Sequence, residues 1–150
     1  MPQARYVEPG WLMRHVFNRL VVALTGAGMS VWGSRVLQVR GRTSGLVRET
    51  PVNLLSYEGH RYLVAPRGET QWVRNLRAAG EGALRLGRRI ERFRPAEIAD
   101  YDKPPILRAY LHRWKAEVGM FFDGVGPDSA EGELVRIAGD HPVFRLEPPD

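Results

Sequence analysis

The chain has 150 residues, 43% of them apolar, which suits one globular domain with a proper core and excludes a disordered class. Twenty-two Lys and Arg against 17 Asp and Glu give a net charge of +5; all but Lys103 and Lys115 are arginine, a side chain suited to bidentate recognition of carboxylate or phosphate. The absence of cysteine excludes disulfides, thiol catalysis and thiolate metal sites, and is compatible with a cytoplasmic protein.

Residues 1–9 read as a mobile arm. From Trp11 to Leu24 the pattern turns helical, with Leu12, Val16, Leu20 and Ala23 on one face and Arg14, His15, Asn18 and Arg19 on another, ending at Gly26 and Gly28. That apolar face packs against a sheet or, in the other reading, lies on a membrane surface, which would make the protein peripheral to the inner face of the membrane. No stretch approaches the roughly 20 apolar residues of a membrane span, and no signal peptide is apparent. Gly26-Ala27-Gly28 follows a helix and opens no βαβ unit, so it is not a dinucleotide fingerprint.

Val36–Val39, Val52–Tyr57 and Arg61–Ala65 read as consecutive strands, the last two joined by a Glu58-Gly59 turn. A short helix follows over Gln71–Ala78, with Thr70 expected as its N-cap and Gly80 closing it. Ala83–Leu86 and Ile90–Ile98 form another hairpin, with Ile90, Arg92 and Arg94 alternating against Glu91 and Phe93. Lys103–Val118 reads as a helix begun by Asp102 with Pro104 and Pro105 in its first turn. Pro127–Ala138 gives another helix and His141–Leu146 the last strand. The whole is an α+β protein: a six-stranded antiparallel split β-barrel with an N-terminal helix, a short inserted helix and C-terminal helices. One domain is expected over residues 1–150, with the arm and amphipathic helix in 1–28, the barrel core in 35–100, and helices and the last strand in 101–150.

Signatures of covalent catalysis are missing. Gly41-Arg42-Thr43-Ser44-Gly45 is G-x-x-S-G between two strands, not a nucleophile elbow. No P-loop lysine occurs, and the four histidines show no metal-ligand spacing, so no metal is expected. The carboxylates Glu91, Glu97, Asp100 and Asp102 suit solvated or capping roles, and Asp140-His141 reads either as an acid–base pair or, preferably, as a surface turn. Arginines interspersed with acids and no recognition-helix pattern argue against nucleic acid.

A binding surface remains: Arg42, Thr43, Ser44 and Arg48 on one hairpin, and Arg67, Gly68, Gln71 and Trp72 where the third strand gives way to the short helix. Guanidinium groups, hydroxyls and open glycine backbone suit a phosphate, and the helix start adds a positive dipole end. Each charge-assisted hydrogen bond contributes about 1.5–3 kcal/mol, so a planar group stacked near Trp72 would supply further affinity. These features suit a phosphorylated aromatic cofactor, although Trp72 also fits a core position and the arginines a solvated rim.

The run Gly41-Arg42-Thr43-Ser44-Gly45-x-x-Arg48-x-Thr50-Pro51-Val52, followed by Trp72-x-x-Asn75-Leu76-Arg77-Ala78, resembles the deazaflavin-dependent nitroreductase family of actinobacteria. That resemblance covers residues 35–100 best. It implies a split barrel that binds coenzyme F420 and passes its hydride to a small-molecule acceptor: a quinone, a nitro compound or another activated double bond. It places Arg42, Thr43 and Ser44 at the phosphate and glutamyl tail, Arg48 and Pro51 beside them, and Val52 and Leu54 along the ribityl chain. Ala65, Pro66, Arg67 and Gly68 would run past the deazaflavin ring, with Gln71 and Trp72 closing over it. Where members of that family carry Ser-Lys-Gly-Gly, this chain has Pro66-Arg67-Gly68-Glu69, and Pro66 lacks an N–H. Tyr110 is the candidate proton donor. Two alternatives are a non-catalytic cofactor- or lipid-binding barrel and an FMN-binding relative. A homodimer that covers exposed sheet is also a reading of so small a barrel.

Overall fold

A computed structural model describes residues 33–149, and the arm and amphipathic helix expected in residues 1–28 lie outside them. The elements run β1 (Ser34–Arg40), β2 (Val47–Tyr57), β3 (His60–Val64), α1 (Gln71–Ala79), β4 (Gly82–Leu86), β5 (Arg89–Glu97), α2 (Pro104–Val118), α3 (Glu131–Ile137) and β6 (Val143–Glu147). The strands hydrogen-bond in the order β1-β2-β3-β6-β5-β4 and close as an antiparallel barrel. This is the expected α+β barrel with six strands.

Several boundaries differ from expectation for local reasons. β2 begins at Val47 rather than Val52, because Val47–Pro51 pair with Arg40–Val36 although their charged residues hide the apolar rhythm. Thr70 does not cap α1: its hydroxyl is buried without a hydrogen-bond partner, and its N–H donates to the Gly68 carbonyl at 2.8 Å. Gly80 does close that helix, donating its N–H to the Leu76 carbonyl. Asp102 does not cap α2 either; it sits in a 3-10 turn over Asp100–Asp102, and Lys103 occupies the cap position without a side-chain cap bond. The helix expected from Pro127 starts only at Glu131. Before it, Gly126 N–H donates to Ser129 Oγ, Ser129 N–H donates back to the Gly126 carbonyl, and Arg108 Nη1 holds the Pro127 carbonyl at 2.6 Å.

The described chain divides into two compact units. The first comprises residues 33–54, 71–96 and 146–149 and holds β1, most of β2, α1, β4 and β5. Here α1 lies against β1, burying Val73 and Leu76. Side chains alternate across the strands, so Phe93 faces inward at 2% exposure while Ile90, Arg92 and Arg94 share the exposed face. On that outer face of β2, β1 and β4, Glu49 Oε2 accepts from Gln38 Nε2 at 2.8 Å and pairs with Arg85 at 3.4 Å.

The second unit comprises Leu55–Thr70 and Glu97–Arg145. Its core gathers Tyr62 and Val64 of β3, Ile106, Leu107, Tyr110, Leu111, Trp114 and Val118 of α2, Leu134 and Ile137 of α3, and Val143 of β6. Bulk of this kind, in contact on all sides, supplies most of a domain's stabilisation. α2 kinks at Trp114, whose backbone leaves the helical region at φ −125°. Lys103 is buried, and its Nζ is satisfied by Asp100 Oδ1 at 2.7 Å and the Ala138 carbonyl at 2.9 Å.

Candidate functional site

The turn between β1 and β2 is closed by its own backbone. Gly41 N–H donates to the Leu46 carbonyl at 2.7 Å and Gly45 N–H to the Gly41 carbonyl at 3.0 Å. Gly45 takes φ +74°, a conformation glycine adopts without strain. A side chain at Gly41 would stand 2.8 Å from Ser44 Oγ, 3.2 Å from the Leu46 carbonyl oxygen and 3.7 Å from Arg48 Nε. A larger residue there would crowd the Ser44 hydroxyl and the Leu46 carbonyl, while the Arg48 side chain would be left in ordinary contact. Ser44 Oγ accepts from Leu46 N–H at 3.2 Å, and Arg40 Nη1 donates to the Gly45 carbonyl at 2.7 Å.

Arg42 is held from α1. Asn75 Oδ1 accepts from both the Arg42 N–H at 3.1 Å and its Nη1 at 2.7 Å, and Gln71 Oε1 accepts from Nη1 at 2.8 Å. Asn75 is buried at 6% exposure, so the anchor is fixed, while the Arg42 side chain is exposed. Both acceptors are neutral amides, and among the described residues no carboxylate pairs with Arg42. Among those residues its charge meets only neutral acceptors, and further N–H groups of the guanidinium are suited to an anion. Arg48 likewise has no ion-pair partner among the described residues, and Thr43 is exposed beside it on the turn. The structure thus brings Arg42, Ser44, Arg48, Gln71 and Asn75 to one turn and one helix.

Asn75 is the residue that sequence reasoning missed. Helical spacing set it with Arg74 and Arg77 among the polar positions, yet it is buried and carries the Arg42 anchor. Its place three residues after Trp72 in the Trp72-x-x-Asn75 run was the available signal. Gln71, expected to close over a ring, accepts a hydrogen bond from Arg42 Nη1. Trp72 is half-buried, neither a full core residue nor an open platform.

Along β2, Arg48, Val52 and Leu54 share one face by alternation, and Pro51 points to the other. Val52 and Leu54 are buried at 9% and 8% exposure. In the second unit, the Ala65–Gly68 loop is tied down by its backbone: Ala65 N–H donates to the Pro142 carbonyl at 2.9 Å and Gly68 N–H to the Ala65 carbonyl at 3.2 Å. Pro66 and Arg67 are half-buried, and Ala65 and Gly68 are buried. Tyr110 is 1% exposed, packed against Trp114 at 5.0 Å and Phe122 at 6.1 Å between ring centroids. His141, read as part of a surface turn, is instead buried at 1% exposure with its ring stacked on Phe122 at 4.1 Å.

Among the described residues no cluster of His, Cys, Asp or Glu is suited to hold a metal, and no helix is long and apolar enough to cross a membrane. The arrangement offers a cationic, hydroxyl-bearing turn that suits a polyanion.

Solved structures similar to the chain include Atu2129 of Agrobacterium tumefaciens, of unknown function, at TM-score 0.55 and 15% identity over 95% of this chain and 55% of that one. The chain therefore spans about half the length of Atu2129. A domain-swapped dimer matches at TM-score 0.53 and 17% identity, covering 91% of this chain and 97% of its own. An F420-H2 dependent reductase, FDR-A, matches at TM-score 0.51 and 17% identity over 77% of this chain and 94% of that one. At these identities the likeness shows the fold alone. A search of curated proteins gives no match. The family model for F420H2-dependent quinone reductase matches residues 12–119, more than half the chain. The chain belongs to the F420H2-dependent quinone reductase family, and coenzyme F420 is the cofactor expected of it.

Proposed function

We propose that the protein is an F420H2-dependent reductase that delivers hydride to a quinone, with nitro compounds and other activated double bonds as further acceptors. The observation that carries this reading is Arg42, an exposed guanidinium held at a buried amide and without a carboxylate partner among the described residues. A phosphate with a glutamyl tail is the complement of such a group. In this reading Arg42, Thr43, Ser44 and Arg48 bind the tail, with Pro51 alongside. Gln71 and Asn75 orient Arg42, which assigns Gln71 to the tail end. Val52 and Leu54 lie along the ribityl chain, and Ala65, Pro66, Arg67, Gly68 and Trp72 meet the ring and exclude water.

Reduced F420 supplies the hydride when bound, so the chain itself needs no nucleophile. Its residues bind the cofactor and hold it in orientation. Buried Tyr110 is left to packing, and a water-borne proton takes its place in the proposal. A homodimer is proposed from the likeness in fold to a domain-swapped dimer.

The experiment is anaerobic oxidation of reduced F420, followed by absorbance, with soluble quinones, nitroaromatics and enones as acceptors. Turnover with quinones is expected. A second reading, a cofactor-binding protein without turnover, is favoured by the Ala65–Gly68 loop, where Pro66 has no N–H and the Ala65 and Gly68 amides are already committed. Tight F420 binding with no oxidation by any acceptor would establish that second reading and refute the first.

A further inference from the structure

His141 is a buried titratable side chain that the proposed reduction leaves without a task. Its Nδ1 lies 3.2 Å from the Ala65 carbonyl oxygen. A carbonyl oxygen only accepts, so Nδ1 carries the hydrogen of this bond. The next residue, Pro142, takes the other end of the same peptide unit's neighbour, accepting the Ala65 N–H at 2.9 Å. Ala65 is thus gripped on both its backbone polar groups by the two residues that precede β6. The imidazole is fixed in turn by stacking on Phe122, with centroids 4.1 Å apart and planes 17° apart. Phe122 packs against Tyr110, which packs against Trp114. Every ring in this series is nearly inaccessible: Trp114, Tyr110 and His141 are each 1% exposed and Phe122 is 0% exposed.

We infer that His141 is a positioning residue for the Ala65–Gly68 loop, setting the place of a backbone segment that meets the deazaflavin ring. The inference rests on the proposed placement of Ala65–Gly68 at the ring. Ala65 offers only a methyl group, Pro66 no N–H and Gly68 no side chain, so at these three positions what the loop presents is set by its backbone. The loop's internal bond, from Gly68 N–H to the Ala65 carbonyl at 3.2 Å, ends on the same oxygen that His141 holds. Moving that oxygen moves both ends of the turn. The aromatic series behind His141 gives Tyr110 a function in packing rather than in proton transfer.

The test compares His141→Phe, which keeps a ring to stack on Phe122 but cannot donate, with His141→Asn, whose amide places a donor near the position of Nδ1. Fluorescence titration with F420 is the readout, with a thermal melt to confirm folding. The Phe variant leaves the Ala65 carbonyl with the Gly68 N–H but without the His141 donor that places it, and its F420 dissociation constant is expected to rise about tenfold. The absorbance change of the bound ring is expected to be lost with it, and the Asn variant to return to within about threefold of wild type. A folded Phe variant with wild-type affinity and an unaltered bound spectrum overturns the inference, as does an Asn variant as weak as the Phe variant.

If the Phe variant does not fold, nitrogen NMR of the wild-type imidazole decides instead. A protonated Nδ1 whose shift moves when F420 is added supports the inference, and an Nε2-protonated ring or a shift indifferent to F420 overturns it. Wild-type protein that does not bind F420 refutes the cofactor reading itself. Wild-type binding that Arg42→Ala weakens and His141→Phe does not refutes only the part assigned to His141.

Discussion

The Gly41–Leu46 turn and the Ala65–Gly68 loop each set an arginine beside a glycine, and they do opposite things with their polar groups. In the turn, the Gly41 and Gly45 amides bond within the turn and the Arg42 amide to Asn75, while the guanidinium of Arg42, the hydroxyl of Thr43 and, just after the turn on β2, the side chain of Arg48 stand exposed. In the loop, Ala65 and Gly68 are buried and their amides are committed to the carbonyls of Pro142 and Ala65, with His141 on the Ala65 oxygen. A surface cation that meets only neutral acceptors among the described residues is suited to an anionic partner; a satisfied buried carbonyl is a group whose position matters. Affinity is expected to depend on the first region and orientation on the second.

The comparison breaks most visibly if core and turn are disturbed separately. Trp114→Ala removes the largest fully buried side chain among the described residues and is expected to lower unfolding free energy by about 3–5 kcal/mol in urea titrations. Arg42→Ala should weaken F420 binding by about 1.5–3 kcal/mol in a fluorescence titration, and move the stability by no more than about 0.5 kcal/mol. If Arg42→Ala instead costs stability and spares binding, the turn is structural and the contrast between the regions collapses.

A smaller change sharpens the same contrast. Asn75→Ala leaves Arg42 in place but removes the oxygen that accepts from its N–H and its Nη1. It is expected to weaken F420 binding by about 1–2 kcal/mol, less than loss of the charge itself. The smallest effect belongs to Arg136, whose guanidinium bonds Asp123 and Glu133 and is raised above its usual pKa by them, Asp123 first. Arg136 is exposed, where such pairs are screened by water, so Arg136→Ala should leave both the melting temperature and F420 affinity at wild-type values. A measurable loss in either would show that exposed arginines on α3 matter in a way the contrast does not allow.

Much of the barrel was legible in sequence because its strands carry apolar alternation. Leu37, Val39, Leu84 and Phe93 are buried where the period of two places them. The start of β2 was not legible, since Arg48, Glu49 and Thr50 pair with β1 while presenting the composition of a loop. The helix starts misled for a related reason. Thr70 and Asp102 have capping side chains, but Thr70 buries its hydroxyl and Asp102 falls inside a preceding 3-10 turn. At the candidate site, the arginines and hydroxyls of the turn stand out in sequence, because those residue types are the ones suited to an anion. Asn75 and His141 could not. A polar residue that is buried because another residue's backbone comes to meet it leaves no mark on local periodicity; the partner, 33 residues away for Asn75 and 76 for His141, decides its role.

The most direct test of the tail-anchoring turn is to titrate the wild-type protein with F420 and with the same deazaflavin lacking its phosphate and glutamyl tail, following deazaflavin fluorescence in both. The account predicts that F420 binds at least about tenfold more tightly, and that this preference shrinks in Arg42→Ala. Equal affinity for the two compounds would contradict it.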